Sequence, residues 1–513
     1  MKRLLLVAVA LALTGCAAGG HAPSTAGLDK KEEVVANQTA EGAAWKCDLS
    51  PLERTIELNV GESREEELSD GSKARVKVLA LQERRDDLRS AVREARVRVE
   101  VNGQEAEIVS ATYNLPVTVG GVQVDCPITR GYLAAVRGDP WKLAADVRLR
   151  LWPAGSPRVQ PGTLGYPVRQ RWFATDTQMA NEPTFVDGVE TPGRGFVYYH
   201  DGLDFGGAEH LVEVVAATDG LVVTAGEAGL AGYEDAPVKP RYDSVSILDR
   251  RGWYHRYSHL ATVELKPGQV VKLGQKVGTL GKEGDSGGWS HLHYSIQARQ
   301  PSGRWGTHDG YAFVWQAYQA ERGPKVIAVA RPHHFAWAGD KVRLDGSKSW
   351  SAGGKIARYE WTFCDGTTAT GAQVEHVYAR AGEYSEILKV TDAAGNVDYD
   401  FAVVQVFERE RPQAVPPALH VVYYPTFDVK PGEAVTFKAR CFGTTDGKEA
   451  WDFGDGSPAA TTKSDGCVDA HATDGYAILK HAYAKVGHYV VTVRRSNKAG
   501  LEATMRVHVR VGE

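Results

Sequence analysis

Hydrophobic and polar residues alternate along much of the chain, which is the pattern of a β-strand with one buried face. The clearest alternating apolar positions before residue 155 are Val76 and Val78, then Val97, Val99 and Val101, and then Val147, Leu149 and Leu151. Asn102-Gly103 separates two such runs and predicts a two-residue hairpin turn, because both turn positions need positive φ. The clearest helical pattern spans 310–318, and Gly323-Pro324 predicts where that helix ends. These patterns predict a mostly β protein.

The size and composition of the chain predict several strand-rich domains. A chain of 513 residues is too long to fold around a single hydrophobic core, since domains contain roughly 100–200 residues. The 60 basic and 64 acidic residues leave a net charge of −4, too small a field to indicate a nucleic-acid partner. The predicted segments are a signal peptide over 1–16, a flexible tether over 17–44, an N-terminal β domain over 45–155, a central domain over 156–323, and two repeat domains over 324–410 and 411–513.

The first residues have the pattern of a targeting segment. Lys2 and Arg3 precede an apolar run over 4–13 that is shorter than the about 20 residues needed to cross a bilayer. The run ends in Leu-Thr-Gly-Cys16, which resembles the lipobox of bacterial lipoprotein precursors. The resemblance implies that Cys16 is lipidated and that the chain is exported and anchored to the cell envelope, at the outer membrane or the cell surface. A plain secretory signal is the alternative.

Five further cysteines would lie in an oxidising compartment, where pairing is the usual state. Cys47 and Cys126 fall in one predicted domain, and Cys441 and Cys467 fall in another. Sharing a domain suggests a disulfide within each pair, although sequence alone does not determine connectivity. Cys364 is left over, and we expect it to be a packed free thiol.

An internal repeat organises the last third of the chain. The segment Trp361-Thr362-Phe363-Cys364-Asp365-Gly366 recurs as Trp451-Asp452-Phe453-Gly454-Asp455-Gly456. The second signature is His376-Val377-Tyr378 with Gly382-Glu383-Tyr384 in one copy, and His481-Ala482-Tyr483 with Gly487-His488-Tyr489 in the other. Both copies resemble PKD domains, which implies immunoglobulin-like β-sandwiches. His376, His481 and His488 are then expected in the packing, and the second copy has about fifteen extra residues between its signatures, including Cys467.

Three histidine-bearing pieces between residues 199 and 296 have the residue types of a zinc site. They are His200-Asp201-Gly202-Leu203-Asp204, Tyr257-Ser258-His259-Leu260 and His291-Leu292-His293. Zinc in a hydrolase takes three protein ligands, such as imidazole and carboxylate, and keeps one position for water. Side chains two apart on a strand share a face, so His291 and His293 lie together, and alternation likewise places His255 and His259 on one face. We interpret His210 and His255 as structural.

These pieces, with the run over 268–284 that is punctuated by glycines between the last two, resemble lysostaphin/LytM-type zinc endopeptidases in order and spacing. The resemblance covers residues 199–296. It implies an antiparallel, barrel-sandwich-like sheet built on a duplicated hybrid motif, and one Zn²⁺ per chain. It also implies that His200, Asp204 and His293 bind the zinc, that His259 and His291 act in catalysis, and that the substrate is the peptide part of peptidoglycan. Trp289-Ser290 and Ser295 depart from the usual pattern.

Two other functions fit the same sequence. A LytM-like scaffold that has lost catalysis would bind the cell wall or regulate other wall enzymes, although all five site positions are present here. An adhesin would use the PKD pair to bind polysaccharide or protein. Gly284-Asp285-Ser286-Gly287-Gly288 looks like the serine loop of trypsin-like proteases, but we interpret it as a turn. The N-terminal β domain either screens the active site or binds a partner.

Overall fold

The computed structural model describes residues 45–110, 113–134, 139–177, 179, 183–184 and 198–512. The predicted signal peptide, Cys16 and the tether lie outside these residues. Strands dominate the described part, which confirms the mostly β class. Among the described helices, none is long and apolar enough to cross a membrane. All of the described residues belong to one compact unit.

The N-terminal domain consists of two four-stranded antiparallel sheets packed face to face. Its elements are β1 Arg54–Leu58, β2 Ser63–Glu67, β3 Lys73–Arg85, β4 Val92–Val101, β5 Gln104–Val109, β6 Val117–Val119, β7 Val122–Thr129, α1 Arg130–Leu133 and β8 Val147–Pro153. The sheet orders are β1-β8-β7-β6 and β2-β3-β4-β5. The alternating valines are buried between the sheets. Asn102 and Gly103 have φ of 50° and 81° and join β4 to β5, which confirms the hairpin.

Strand β8 differs from its predicted half-buried character, because its polar face is also covered. Arg148 and Arg150 alternate with the apolar residues but are almost fully buried. Arg148 donates to the Thr307 carbonyl at 3.1 Å, and Arg150 donates to the Asp309 carbonyl at 2.6 Å. Arg150 also pairs with the carboxylates of Asp125 and Asp309. The N-terminal domain is thus fixed to the central domain through ion-paired arginines.

The central domain is built on one large antiparallel sheet. Its elements are β9 Pro183–Thr184, β10 Tyr198–Tyr199, β11 Leu203–Gly206, β12 Glu213–Val215, β13 Gly220–Ala225, β14 Ala228–Gly229, β15 Val245–Asp249, β16 Tyr254–Ser258, β17 Leu260–Val263, β18 Val270–Val271, β19 Lys276–Leu280, β20 His291–Arg299, β21 Trp305–His308 and α2 Tyr311–Arg322. The large sheet has the order β11-β20-β16-β15-β13-β14, and β12-β19-β17 forms a smaller one. Strand β20 therefore lies between β11 and β16.

Helix α2 confirms the helical pattern seen in the sequence. It is buried on most sides, and Phe313, Val314 and Trp315 lie in the same core as the apolar residues of the large sheet. Gly323 ends the helix in the left-handed conformation, with φ of 52°, which a residue without Cβ adopts at no steric cost.

Both repeat domains are strand-rich sandwiches. The first contains β22 Val326–Ile327, β23 His334–Trp337, β24 Lys341–Asp345, β25 Trp350–Ser351, β26 Ile356–Thr362, β27 Thr368–Thr370, β28 Gln373–Val377, β29 Gly382–Asp392 and β30 Val397–Phe407. The second contains β31 Ala418–Tyr424, β32 Ala434–Phe442, β33 Glu449–Asp452, β34 Ala460–Thr462, β35 Ala477–Ala482, β36 Gly487–Ser496 and β37 Glu502–Val511. Strand β29 pairs with β37, so a single sheet of nine strands runs through both repeats.

The repeated aromatic and histidine residues lie together in each sandwich. Trp361 and Trp451 are buried at equivalent places in the two cores. His376 stacks on Phe363 and His481 stacks on Phe453, each pair with ring centroids 4.0 Å apart. His488 lies 2.9 Å from His508, Nδ1 to Nε2. The prediction that these histidines belong to the packing is confirmed.

The two predicted disulfides are wrong, because all five described cysteines are free. Cys47 lies beside the Asp249 carbonyl of the central domain, whereas Cys126 is buried in the N-terminal core. Cys441 is buried in the second repeat, whereas the thiol of Cys467 lies 3.6 Å from the Gly287 carbonyl. Membership of one domain did not bring either pair together. Cys364 is a free, half-buried thiol as predicted.

The burial of Glu383, which lies at the junction of the two repeats, predicts that the stability of the protein depends on pH. It is 3% exposed and accepts hydrogen bonds from the Leu419 amide and the Gln405 side chain, both at 2.8 Å. Burial raises its pKa from 4.5 to about 8. The folded state therefore keeps a proton that the unfolded state releases, so this contribution to stability is full below pH 4.5 and is lost as the pH rises towards 8.

Glu383→Gln is expected to remove this contribution. The free energy of unfolding of the parent should fall relative to the variant by at most about 1.4 kcal/mol per pH unit across that window. Chemical denaturation of both proteins at pH 5 and pH 8 measures the difference. Equal pH slopes for parent and variant would refute the assignment to Glu383.

Candidate metal centre and active site

The central position of β20 brings the predicted ligands together. In its antiparallel pairing with β11, His293 lies opposite Asp204. On its other side, His293 lies opposite Ser258 of β16. Leu292 is fully buried in the core, so His291 and His293 share the opposite face of the strand, as the alternation predicted. His200 reaches the same place from the residues just before β11.

His200, Asp204 and His293 form a compact group of metal-binding atoms, all within 4.8 Å of one another. His200 Nε2 lies 3.0 Å from His293 Nδ1 and 3.2 Å from Asp204 Oδ1. His293 Nδ1 lies 3.0 Å from Asp204 Oδ1. Two ligands bonded at about 2.1 Å to a tetrahedral zinc are about 3.4 Å apart. The separation of these three atoms and their chemistry therefore fit a zinc ion.

Two further features of the group suit a metal site. A Cβ on Gly202 would lie only 2.6 Å from the His293 ring, so the absence of a side chain there lets the chain pass close to the ligand. The side chains of Asp204 and His293 are 21% and 16% exposed. A water molecule or a substrate therefore has access to the group from that side.

Hydrogen bonding and burial set the charge of the group. Burial alone would raise the pKa of Asp204, but His200 and His291 and the hydrogen bonds from the ligand histidines hold that pKa well below its usual value. Burial lowers the pKa of His293. An ionised Asp204 beside a neutral His293 matches the protonation state that a divalent metal requires of such ligands.

His259 leaves the strand pattern that the sequence predicted for it. It follows β16 with φ of 65°, and its backbone N–H donates to Asp243 Oδ2 at 3.0 Å. Its Nδ1 lies 2.6 Å from the Glu283 carbonyl. A carbonyl only accepts, so Nδ1 carries a proton, and in the tautomer with a single ring proton Nε2 has a lone pair. The ring centroid is 6.0 Å from that of His293.

His291 is held in the same tautomer. Its Nδ1 donates to the Trp289 carbonyl at 2.9 Å, which leaves Nε2 unprotonated and 3.6 Å from Asp204 Oδ2. Its ring centroid is 4.7 Å from that of His259. Burial lowers the pKa of His291 to about 4, so the ring is neutral at physiological pH. Two imidazoles with available Nε2 atoms thus lie beside the candidate metal site.

The other sequence candidates lie outside this cluster. His255 is fully buried and contacts Tyr294 Oη at 2.7 Å and Asp249 Oδ2 at 3.2 Å, in agreement with its structural interpretation. His210 is exposed. The hydroxyl of Ser286 donates to the Lys282 carbonyl and accepts from the Gly288 amide, which is the bonding of a turn and favours that interpretation of the serine loop.

Asp243 is a site residue that the sequence analysis missed. Besides accepting from the His259 amide, its carboxylate is paired with Arg241, and it is fully buried. Burial alone would raise its pKa, but the hydrogen bonds from His259 and Arg241 hold the pKa well below its usual value. Asp243 therefore supports the backbone that presents His259. It stands outside any histidine motif, so no local pattern identified it.

Comparisons with known proteins agree with the domain types. The sequence model of peptidase family M23 matches residues 198–303, and PKD domain models match residues 324–406 and 418–510. Collagenase ColA of Clostridium perfringens is 35% identical over 69 residues, which are 14% of this chain and 6% of that protein. A microbial collagenase of Vibrio alginolyticus is 39% identical over 82 residues, 16% of this chain and 10% of that protein. The chain therefore spans a tenth or less of these relatives.

Two solved structures resemble the chain over short parts of it. The catalytic domain of the antimicrobial peptidase lysostaphin from Staphylococcus simulans is 24% identical and covers 26% of this chain and 91% of that one, with a TM-score of 0.19. The catalytic domain of the prophage-encoded M23 protein EnpA from Enterococcus faecalis is 24% identical and covers 24% of this chain and 85% of that one, with a TM-score of 0.18.

Proposed function

We propose that this chain, which carries a peptidase family M23 domain and two PKD domains, is a zinc-dependent endopeptidase of the bacterial cell envelope. Its proposed substrate is the peptide part of peptidoglycan, in stem peptides or cross-links. The observation that carries the proposal is the convergence of His200, Asp204 and His293 with two further imidazoles of defined tautomer. A structural histidine cluster would not need two unprotonated Nε2 atoms beside three metal-binding atoms.

The chemistry follows from the residues around the metal site. Zinc held by His200, Asp204 and His293 would lower the pKa of a water molecule to about 7 and polarise the scissile carbonyl. His291 and His259 each accept a proton at Nε2 while their Nδ1–H stays bonded to a backbone carbonyl. A ring that has taken the proton of the attacking water then donates it to the leaving amine.

Metal removal tests the proposal. The purified protein is incubated with cell-wall sacculi in three forms, zinc-loaded, stripped with a chelator, and reloaded with zinc. New amine termini are expected from the first and third samples, and none above background from the second. A parallel incubation with gelatin tests a protein substrate, because the short sequence matches are to collagenases.

The outcomes separate the alternatives. Binding to sacculi without cleavage would refute the enzyme and favour the catalytically silent scaffold. Cleavage of gelatin but not of sacculi would retain the peptidase and refute the cell-wall substrate. Cleavage that persists after complete removal of zinc would refute the role of the metal. The proposed lipid anchor at Cys16 is tested separately, by labelling with a radioactive fatty acid.

A further inference from the structure

The second repeat contacts the central domain at the residues just before His291. Trp289 and Phe442 lie face to face, with ring centroids 4.0 Å apart and planes within 5° of parallel. Arg440 is ion-paired with Asp465 at 2.6 Å and donates to the Gly288 carbonyl at 2.9 Å. A PKD domain and the approach to a candidate catalytic histidine are thus packed directly together.

The second repeat, including its extra residues, lies close against Gly288. Gly288 has φ of 85°, and a Cβ there would lie 2.6 Å from the thiol sulfur of Cys467 and 2.9 Å from Arg440 Nη1. Cys467 belongs to the insertion that distinguishes the second repeat from the first. No larger residue fits this contact without displacing the insertion, which indicates a close fit between the two surfaces.

A single peptide group connects the second repeat to His291. The Ser290 amide donates to Tyr476 Oη at 2.9 Å. The carbonyl of the same peptide group belongs to Trp289 and accepts from His291 Nδ1 at 2.9 Å. Because a peptide group is planar, its N–H and C=O directions are coupled. By binding the N–H of this peptide group, Tyr476 fixes the plane of the group. The C=O of the same group then orients the imidazole of His291.

Tyr476 is itself held by a chain of hydrogen bonds that crosses the interface. Its oxygen accepts from Ser290, so its proton is donated to His420 Nδ1, 2.7 Å away. His420 is then protonated at Nε2, which lies 2.9 Å from Thr177 Oγ1 of the central domain. Both Tyr476 and His420 are buried. One orientation of the Tyr476 hydroxyl and one tautomer of His420 give every donor in this chain an acceptor, so the hydrogen-bonded arrangement is rigid.

We propose that the second PKD domain is part of the peptidase active site, with Tyr476 as a positioning residue that orients His291 through the Trp289–Ser290 peptide. The PKD domain is then required in place for catalysis, in addition to any ligand it binds. The effect on catalysis that this inference expects rests on the proposed function. The ordering of the peptide before His291 follows from the contacts alone.

Tyr476→Phe in the purified full chain tests the inference. Loss of one oxygen frees the Ser290 amide, so hydrogen exchange in the peptide covering 284–292, measured by mass spectrometry, is expected to accelerate at least tenfold. Hydrolysis of sacculi or of a soluble wall peptide is expected to show kcat lower by about 10- to 100-fold. KM should stay within about twofold of the parent, and the zinc content should be unchanged.

Tyr489→Phe is the matched control. Its hydroxyl lies in the same repeat and donates to the Lys485 carbonyl. This variant should match the parent in exchange over 284–292 and in kcat. It reports any general effect of removing a tyrosine hydroxyl from this domain.

Each outcome bears on the inference. Unchanged exchange in Tyr476→Phe, or faster exchange with unchanged kcat, would overturn it. So would a loss of zinc or a rise in KM that accounts for the lost activity, because either would mark a general structural role. A parent that cleaves nothing would refute the proposed function instead, and the exchange measurement alone would then decide whether the PKD domain orders the residues before His291.

Discussion

His293→Ala is expected to abolish zinc binding and peptide hydrolysis together. His293 Nδ1 lies 3.0 Å from both His200 Nε2 and Asp204 Oδ1, so its removal leaves two ligands where a catalytic zinc needs three. Metal stabilisation of the transition state is worth several kcal/mol, which corresponds to a loss of at least about 1,000-fold in rate. Zinc is measured by mass spectrometry of the purified variant, and hydrolysis by the new amine termini released from sacculi.

His210→Asn is the control for this variant. His210 belongs to the same domain but is exposed and has φ of 64°, a conformation that asparagine tolerates. Zinc content and hydrolysis should equal those of the parent. Parent-like zinc content in His293→Ala would contradict the ligand assignment, and parent-like hydrolysis without zinc would contradict the proposed mechanism.

The sequence was most informative where the chemistry depends on short spacing along a strand. His291 and His293 are two apart, and Leu292 between them marks the buried face. Strand pairing then assembles the site, because β11 and β16 flank β20 and bring Asp204 and Ser258 opposite His293. A period of two along a strand is a local property, and a local property is visible in a sequence.

Long-range partners were not visible in the same way. Tyr476 is 186 positions from Ser290, and Arg148 is 159 positions from Thr307. The arginines of β8 had the pattern of a solvent-exposed face, yet the central domain covers them. A polar residue on an amphipathic strand has the same pattern whether water or an ion-paired neighbour covers it.

The disulfide predictions failed for a related reason. A disulfide bond requires that the Cα atoms of the two cysteines lie within about 7 Å and that their Cβ atoms point towards each other. Shared membership of a domain ensures neither condition. His259 was identified by its motif, but its conformation was predicted wrongly. The left-handed φ of 65° takes it out of the alternation that would have placed it with His255.

The interface that carries Tyr476 also contains a buried charge cluster. Glu209 and Lys282 of the central domain are each 3% exposed and are paired at 2.6 Å. Lys438 of the second repeat is 6% exposed, lies 3.7 Å from the Glu209 carboxylate and donates to the Glu209 carbonyl at 3.0 Å. One carboxylate thus contacts ammonium groups from two domains.

Glu209→Gln is therefore expected to destabilise the protein by about 3–5 kcal/mol, because it leaves two buried ammonium groups without a counter-charge. Lys438→Met is the matched comparison, since it keeps the Glu209–Lys282 pair and the volume of the side chain, and it should cost less. Chemical denaturation of the two variants and the parent measures the difference. Equal losses would contradict this expectation, whereas a larger loss in Glu209→Gln would support the carboxylate as the counter-charge of both buried ammonium groups.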